Sequence, residues 1–311
     1  MKKILLSVCA MFAALSLGFA QDVNEATDLY NEGASALGLG DKAGALSYFQ
    51  KAYQIASECG EAGEELVANC KSIIPSLALS LAKDEIKANN FDSAISKLGD
   101  AAKLASEFGD EGAAAEAQSL IPQAYMQKGN SLLKASDFVG AAAVYEQVLA
   151  LDANNSRAAL YLGQAYDKAG NVDKAVKAYE LASSLGQEKA ANKQLSKMFL
   201  KQANTANKAK KFDEALAAAT KSNSYQESPE AYYIVAIANQ NLGKIEDAIA
   251  GFEKYISLKP NARNASAVKF TIAALYQGQK NNAKALEYYN QLTGDATYGA
   301  QALQQIKALS K

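Results

Sequence analysis

A recurring alanine constrains the fold of this chain more than any other feature. Ala175, in the segment DKAVKAY, has counterparts along almost the whole sequence at spacings of 49, 47, 34, 40, 33 and 37 residues. The counterparts are Ala45, Ala94, Ala141, Ala215, Ala248 and Ala285. Periods of this length are typical of repeat proteins, in which each unit packs only against its neighbours. The sequence therefore predicts a repeat architecture.

Two further positions recur in step with the alanine. The residue twelve positions earlier is always small, and the residue four positions later is usually large. The small residues are Gly33, Ala82, Gly129, Gly163, Ala203, Ala236 and Ala273, and the later ones are Phe49, Leu98, Tyr145, Tyr179, Ala219, Phe252 and Tyr289. Because alanine is abundant and only four prolines occur, each unit is expected to be helical. We expect two helices to approach closely where Gly163 meets Ala175, with Tyr179 filling the wider gap.

Turn and cap signals separate the predicted helices. Gly170 suits the C-terminal end of a helix, where a left-handed residue is common. Asp92, Asp173, Asp213 and Glu246 stand where second helices should begin, and negative charge favours a helix N-terminus. The pair Ser228-Pro229 indicates a new helix start, and Asn261 indicates a further break.

This pattern resembles the tetratricopeptide repeat (TPR), a helix–turn–helix unit with small residues in both helices and an aromatic residue in the second. Segments 122–155, 156–189 and 229–262 match it best, and Pro260 lies where the family often has proline. The family's tryptophan is absent, because this chain has none. The resemblance implies an all-α, right-handed α-solenoid of about seven units, with a concave groove lined by first helices.

The units differ in length along the chain. Residues 21–121 are expected to form two elongated units, since the first two spacings exceed the usual period. Residues 122–297 should form five further units, and 298–311 a capping helix with Tyr298, Ala302, Ile306 and Leu309 on one stripe. The extra residues in the long units should lengthen two neighbouring helices equally.

The N-terminus has the pattern of a secretory signal peptide. Lys2 and Lys3 precede an apolar run, residues 4–19, that ends beside Ala20. The run is shorter than the ~20 residues that span a bilayer. We therefore expect residues 1–20 to be a signal peptide, cleavage near Ala20, and a periplasmic or secreted protein. An uncleaved anchor is the alternative.

Catalysis and several partner classes have no support in the sequence. The chain contains no histidine, which excludes His-dependent catalysis and His-containing metal sites. It has no phosphate-binding loop motif. Its net charge of −1 indicates no excess of positive charge that would attract nucleic acid. We expect no enzymatic activity, cofactor, metal or nucleic-acid partner.

Binding in the groove is the leading expectation. The candidate residues are polar or aromatic positions on first helices, and they are Asn130, Arg157, Gln164, Lys197, Lys201, Asn204, Asn207, Tyr233 and Gln240. Amides can both donate to and accept from the backbone of an extended peptide. Lys197 and Lys201 could bind a carboxylate. The alternative is that these side chains only keep a solvent-filled groove soluble.

Cys59 and Cys70 are the two cysteines that would remain after cleavage. An exported protein meets oxidising conditions, so the sequence predicts a possible disulfide between them at a helix-hairpin tip. Two small buried side chains are the alternative.

The sequence as a whole indicates an exported, non-catalytic scaffold that binds a protein or peptide segment within a cell-envelope assembly. The alternatives are a glycan-binding component and a protein that assembles with its own copies.

Overall fold

Helices joined by short turns make up the part of the protein that the structure describes. The computed structural model describes residues 22–310, and within that range there is no β-strand. The described helices are α1 (22–38), α2 (Lys42–Glu58), α3 (Glu64–Lys87), α4 (Phe91–Phe108), α5 (Glu111–Lys134), α6 (Phe138–Leu151), α7 (Ser156–Lys168), α8 (Val172–Ala182), α9 (Glu188–Lys208), α10 (Phe212–Tyr225), α11 (Pro229–Asn241), α12 (Ile245–Leu258), α13 (Ala265–Gly278), α14 (Asn282–Asn290) and α15 (Gly299–Leu309). The all-α prediction is confirmed. The predicted signal peptide lies outside the described residues.

A left-handed residue closes the turn inside each helix pair. It stands five positions before the recurring alanine, and the seven residues are Gly40, Asn89, Ser136, Gly170, Lys210, Gly243 and Lys280, with φ between 59° and 86°. At Gly170 the backbone N–H donates to Asp167, and the next N–H, of Asn171, donates to Tyr166. These bonds satisfy carbonyls that a helix end leaves unpaired, so the predicted C-terminal cap at Gly170 is confirmed.

Side chains also satisfy N–H groups at several helix starts. Asp41, Asp137 and Asn171 each accept a hydrogen bond from the backbone N–H three residues later. Ser228 does the same for Ala231, with Pro229 at the first helical position. The helix start predicted at Ser228-Pro229 is thus confirmed, and it follows the usual N-cap chemistry.

The chain divides into two compact units, and the second begins at Ala159. In the first unit, helices α1–α5 pack around two core clusters, and α6 packs on α5. One cluster includes Ala45, Phe49 and Ile74, and the other includes Leu98 and Ala102. Ala45, Phe49 and Leu98 therefore lie inside these clusters, and the repeat alanines Ala94 and Ala141 are also fully buried.

The first unit contains the two longest described helices. Helices α3 and α5 have 24 residues each, whereas α2 has 17 and α4 has 18. The extra residues therefore lengthen α3 and α5 more than α2 and α4, not equally as the sequence suggested.

The second unit continues the same packing. Ala175 is fully buried and Tyr179 is 1% exposed. At Gly163, the three atoms nearest to an added Cβ would all belong to the Tyr179 ring. The small residue therefore makes room for the aromatic side chain of the second helix.

Helix α15 packs against the last helix pair, α13 and α14. Its apolar residues Ala302, Ile306 and Leu309 pack with Ala285 and Tyr289 of α14. Several polar residues on its other side are exposed. An amphipathic final helix of this kind shields the core of a terminal repeat from water.

Candidate functional site

The nine residues predicted to bind a partner differ in accessibility. Arg157, Lys197, Lys201 and Asn204 are exposed. The other five are half-buried, and they are Asn130, Gln164, Asn207, Tyr233 and Gln240. Asn130 and Arg157 lie in the first compact unit and the remaining seven in the second.

Two of the predicted amides already bond within the protein. Asn130 Oδ1 accepts a hydrogen bond from the Tyr145 hydroxyl at 2.8 Å, between the two helices of one pair. Asn204 Nδ2 donates to the Leu200 carbonyl of its own helix at 3.0 Å. Asn130 therefore has a clear structural role, since it satisfies the polar end of a buried tyrosine.

Tyr233 contributes to the core of its repeat. Its ring centroid lies 6.0 Å from that of Phe252 and 5.0 Å from that of Tyr255, in edge-to-face and tilted arrangements. Such aromatic pairs stabilise packing.

Asn207 has an unsatisfied acceptor. Its Oδ1 is buried and has no hydrogen-bond partner among residues 22–310. A buried carbonyl oxygen without a donor is costly, so this amide is available to a donor that reaches it.

A cavity of the second unit lies against helix α9, and we call it the α9 cavity. It has a volume of about 490 Å³. Met198, Lys201, Thr205 and Ala206 line it from α9, and residues of α7, α8 and α10 complete its walls. The cavity therefore combines apolar surface with a cation and a hydroxyl group, and it includes one predicted binding residue, Lys201.

The charges around the α9 cavity are only partly neutralised. Lys211 Nζ lies 3.0 Å from Glu214 Oε1. In contrast, Lys201 forms no ion pair with any described residue and is exposed. The carboxylates of Asp167 and Glu214 also line the cavity. An anionic group entering it would therefore meet, in Lys201, a cation that none of the described carboxylates pairs with.

A small residue, Ala206, lines the α9 cavity at a position where two other units have a tyrosine ring. The residue three positions after the small residue of the first helix is Tyr166 in one unit and Tyr276 in another, but Ala206 in α9. Alanine occupies much less volume than tyrosine at this position. The change from tyrosine to alanine at this repeat position is visible in the sequence and is a signal for the cavity.

The two cysteines are free thiols in the structure, and both are buried. The Cys59 Sγ donates to the Ile55 carbonyl at 3.2 Å. Burial raises the pKa of the Cys70 thiol to about 11. The disulfide stays a prediction.

The described residues form neither a metal-binding cluster nor a membrane-spanning helix. Across the described range, no group of three or more His, Cys, Asp or Glu side chains is placed to hold a metal ion. In the same range, no helix is both long and apolar enough to cross a membrane.

Family comparison agrees with the helix pairs. Two models of the tetratricopeptide repeat match the chain, at residues 132–197 and 200–265. The chain contains tetratricopeptide repeats. The matched TPR segments contain the α9 cavity helix and most of the predicted binding residues. The TPR resemblance and the all-α TPR fold predicted from the sequence are both confirmed. No curated protein matches the chain in sequence.

Solved structures of TPR proteins are also similar to parts of the chain. MamA AMB-1 is 26% identical, covers 58% of this chain and 95% of its own, and has a TM-score of 0.36. YrrB, described as a TPR protein with an unusual peptide-binding site, is 20% identical, with coverages of 59% and 91% and a TM-score of 0.33. PilF of Pseudomonas aeruginosa is 16% identical, with coverages of 62% and 88% and a TM-score of 0.31.

Proposed function

We propose that the chain is an exported, non-catalytic TPR scaffold that binds a peptide segment of a partner protein within a cell-envelope assembly. The observation that carries the peptide-binding part is the α9 cavity, with unpaired Lys201 at an apolar surface made by Met198 and Ala206. A peptide with a free C-terminal carboxylate fits this chemistry. Its carboxylate binds Lys201 and its last side chain packs in the cavity.

Neighbouring polar groups support a bound main chain. Thr205 and Gln202 also line the cavity, and Asn204 is exposed one turn from Leu200. Hydroxyl and amide side chains can pair with peptide N–H and C=O groups. Lys197, four residues before Lys201 on the same helix, adds a second exposed cation.

A peptide library with free C-termini tests this function. The full chain is screened against the library for binding. The peptide that binds best is then titrated into the protein by calorimetry, once with a free C-terminal carboxylate and once as the C-terminal amide. Because charged hydrogen bonds contribute roughly 1.5–3 kcal/mol, the amide and the variant Lys201→Ala should each bind on the order of tenfold to hundredfold more weakly.

Two variants control the result. Ala206→Tyr restores the ring that other repeats have and should block binding. Lys208→Ala removes an exposed cation of the same helix that does not line the cavity, and it should leave affinity unchanged. Equal affinity for acid and amide, together with normal binding to Ala206→Tyr, would show that this site is not used.

Export has its own test. Cells expressing the full chain are fractionated, and the N-terminus of the recovered protein is sequenced. A periplasmic or secreted protein that begins near Gln21 supports the proposal. A cytoplasmic protein that retains residues 1–20 contradicts it.

A further inference from the structure

A second cavity lies between α10, α11 and α12, and we call it the α11 cavity. Its volume is about 370 Å³, which falls in the range of small-molecule sites. Leu216 of α10, Val235 of α11 and Ala250 of α12 contribute to its walls. The cavity is separate from the α9 cavity and shares no lining residue with it.

Asn239 lines the α11 cavity and has an unsatisfied carbonyl oxygen. The residue is 4% exposed. Its Oδ1 is buried, and no hydrogen-bond partner for it exists in the described part of the chain. A buried acceptor of this kind favours a ligand that brings an N–H or O–H donor.

The repeat explains why the cavity is there. Asn239 occupies the position that Tyr276 has in the next unit. The Tyr276 ring stacks on Tyr288 at 6.1 Å, and its hydroxyl donates to Glu253 at 3.0 Å. An asparagine in this place leaves the volume of a ring open and puts an amide where the ring would be.

Opposite charges stand at the start of α12. Lys244 and Asp247 both line the α11 cavity and both are exposed. Neither forms an ion pair within residues 22–310. A ligand that carries an ammonium and a carboxylate group would neutralise both side chains, whereas a ligand with one charge would satisfy only one.

We propose that the α11 cavity binds a zwitterionic amino acid or short peptide whose side chain ends in a hydrogen-bond donor. The ligand carboxylate binds Lys244, and its ammonium group binds Asp247. The aliphatic part of its side chain packs against Leu216 and Val235. A terminal amide donates to Asn239 Oδ1. This site does not depend on peptide binding in the α9 cavity.

Calorimetry on the full chain tests the proposal with L-glutamine and with the dipeptide glycyl-L-glutamine. Whichever of these two compounds binds more tightly shows whether the natural ligand is a free amino acid or a peptide. L-norleucine has the same charges but no side-chain donor, and glutaminamide lacks the carboxylate. We expect each of these to bind on the order of tenfold more weakly than L-glutamine, as the loss of one hydrogen bond or ion pair predicts.

Variants connect the binding to the cavity. Asn239→Ala removes the acceptor and should weaken the binding of L-glutamine on the order of tenfold, as L-norleucine does for the native chain. Asn239→Tyr fills the space and should abolish binding. Asn241→Ala changes an exposed amide of the same helix that does not line the cavity, and it should bind normally. Circular dichroism confirms folding, and if Asn239→Tyr is unfolded the result rests on Asn239→Ala.

Two outcomes would overturn the proposal. If neither L-glutamine nor glycyl-L-glutamine binds at millimolar concentration, then solvent alone satisfies Asn239. If they bind equally well to folded Asn239→Ala, then the ligand occupies another place.

Discussion

The ring of Tyr179 lies directly on Gly163, so that a Cβ added to Gly163 would come within 2.5 Å of Tyr179 Cδ1. The same relationship joins Gly129 to Tyr145 at 2.7 Å. It recurs less tightly between Gly33 and Phe49, at 3.0 Å. The aromatic residue of the second helix thus determines which side chain the first helix can carry opposite it.

Gly163→Ala should destabilise the protein. The Tyr179 ring is 1% exposed and has little room to move, so overpacking should lower the free energy of unfolding by about 1–3 kcal/mol. Urea unfolding followed by circular dichroism measures this. Gly99→Ala is the control, because an added Cβ at this helical position meets nothing within 4 Å, and it should stabilise by up to ~1 kcal/mol. Equal stability of Gly163→Ala and the native chain would contradict the packing.

Lys210→Gly should stabilise the turn between α9 and α10. Lys210 has φ +59°, where an L-residue is strained and glycine is not. We expect a gain of about 1 kcal/mol in unfolding free energy. The reverse change, Gly170→Ala at φ +81°, should lose a similar amount. Thermal and urea unfolding of both variants test the sign, and a loss at Lys210→Gly would refute it.

Two tyrosines in equivalent positions should respond differently to removal of the hydroxyl group. The Tyr145 hydroxyl donates to Asn130, whereas the Tyr179 hydroxyl is buried with no partner in the described residues. Tyr145→Phe should cost roughly 1 kcal/mol because it leaves Asn130 without its donor. Tyr179→Phe should be neutral or stabilising. Similar losses in both variants would show that the Tyr179 hydroxyl is satisfied in solution.

Stability should fall at alkaline pH. Burial, and then the charge of Asp167, raise the pKa of Tyr179 above its ordinary value near 10. The unfolded chain releases this proton at a lower pH than the folded chain does. The contribution of Tyr179 to the free energy of unfolding is therefore fully present below pH ~10 and is lost as the pH rises through the folded pKa. Urea unfolding across this range should show the decline, and Tyr179→Phe should make it shallower. An unchanged slope in that variant would contradict the prediction.

The buried thiols provide a test of the predicted disulfide. In the reduced native protein we expect slow reaction with a thiol reagent at neutral pH, since burial raises the pKa of Cys70 to about 11 and leaves little thiolate. Protein exported without reductant should show no reactive thiol after unfolding. Two reactive thiols in that sample would exclude the bridge between Cys59 and Cys70.

Much of the fold could be predicted because its signals are local. The alanine at 175, the glycine at 170 and the serine-proline pair at 228 each act within one helix or one turn, and each unit packs mainly on its neighbours. Spacing along the chain therefore carries most of the information on helix pairs and their ends. The spacing did not show that the Tyr179 ring lies on Gly163, because Ala175 and Tyr179 are one turn apart on the facing helix and either could lie there.

The predicted binding residues were harder to assess from the sequence. Asn130 looks like an exposed amide on a first helix, but in the structure it bonds to Tyr145. The α9 and α11 cavities were missed, although Ala206 and Asn239 stand at one repeat position where other units have tyrosine.

The sequence by itself determined that the chain is all-α, where its helix pairs turn and which TPR family pattern it follows. Only the tertiary structure decided which polar groups are already paired and where volume is left open. The physical reason is that pairing and volume depend on three or more helices meeting at one point, whereas helix and turn formation depend on a few consecutive residues.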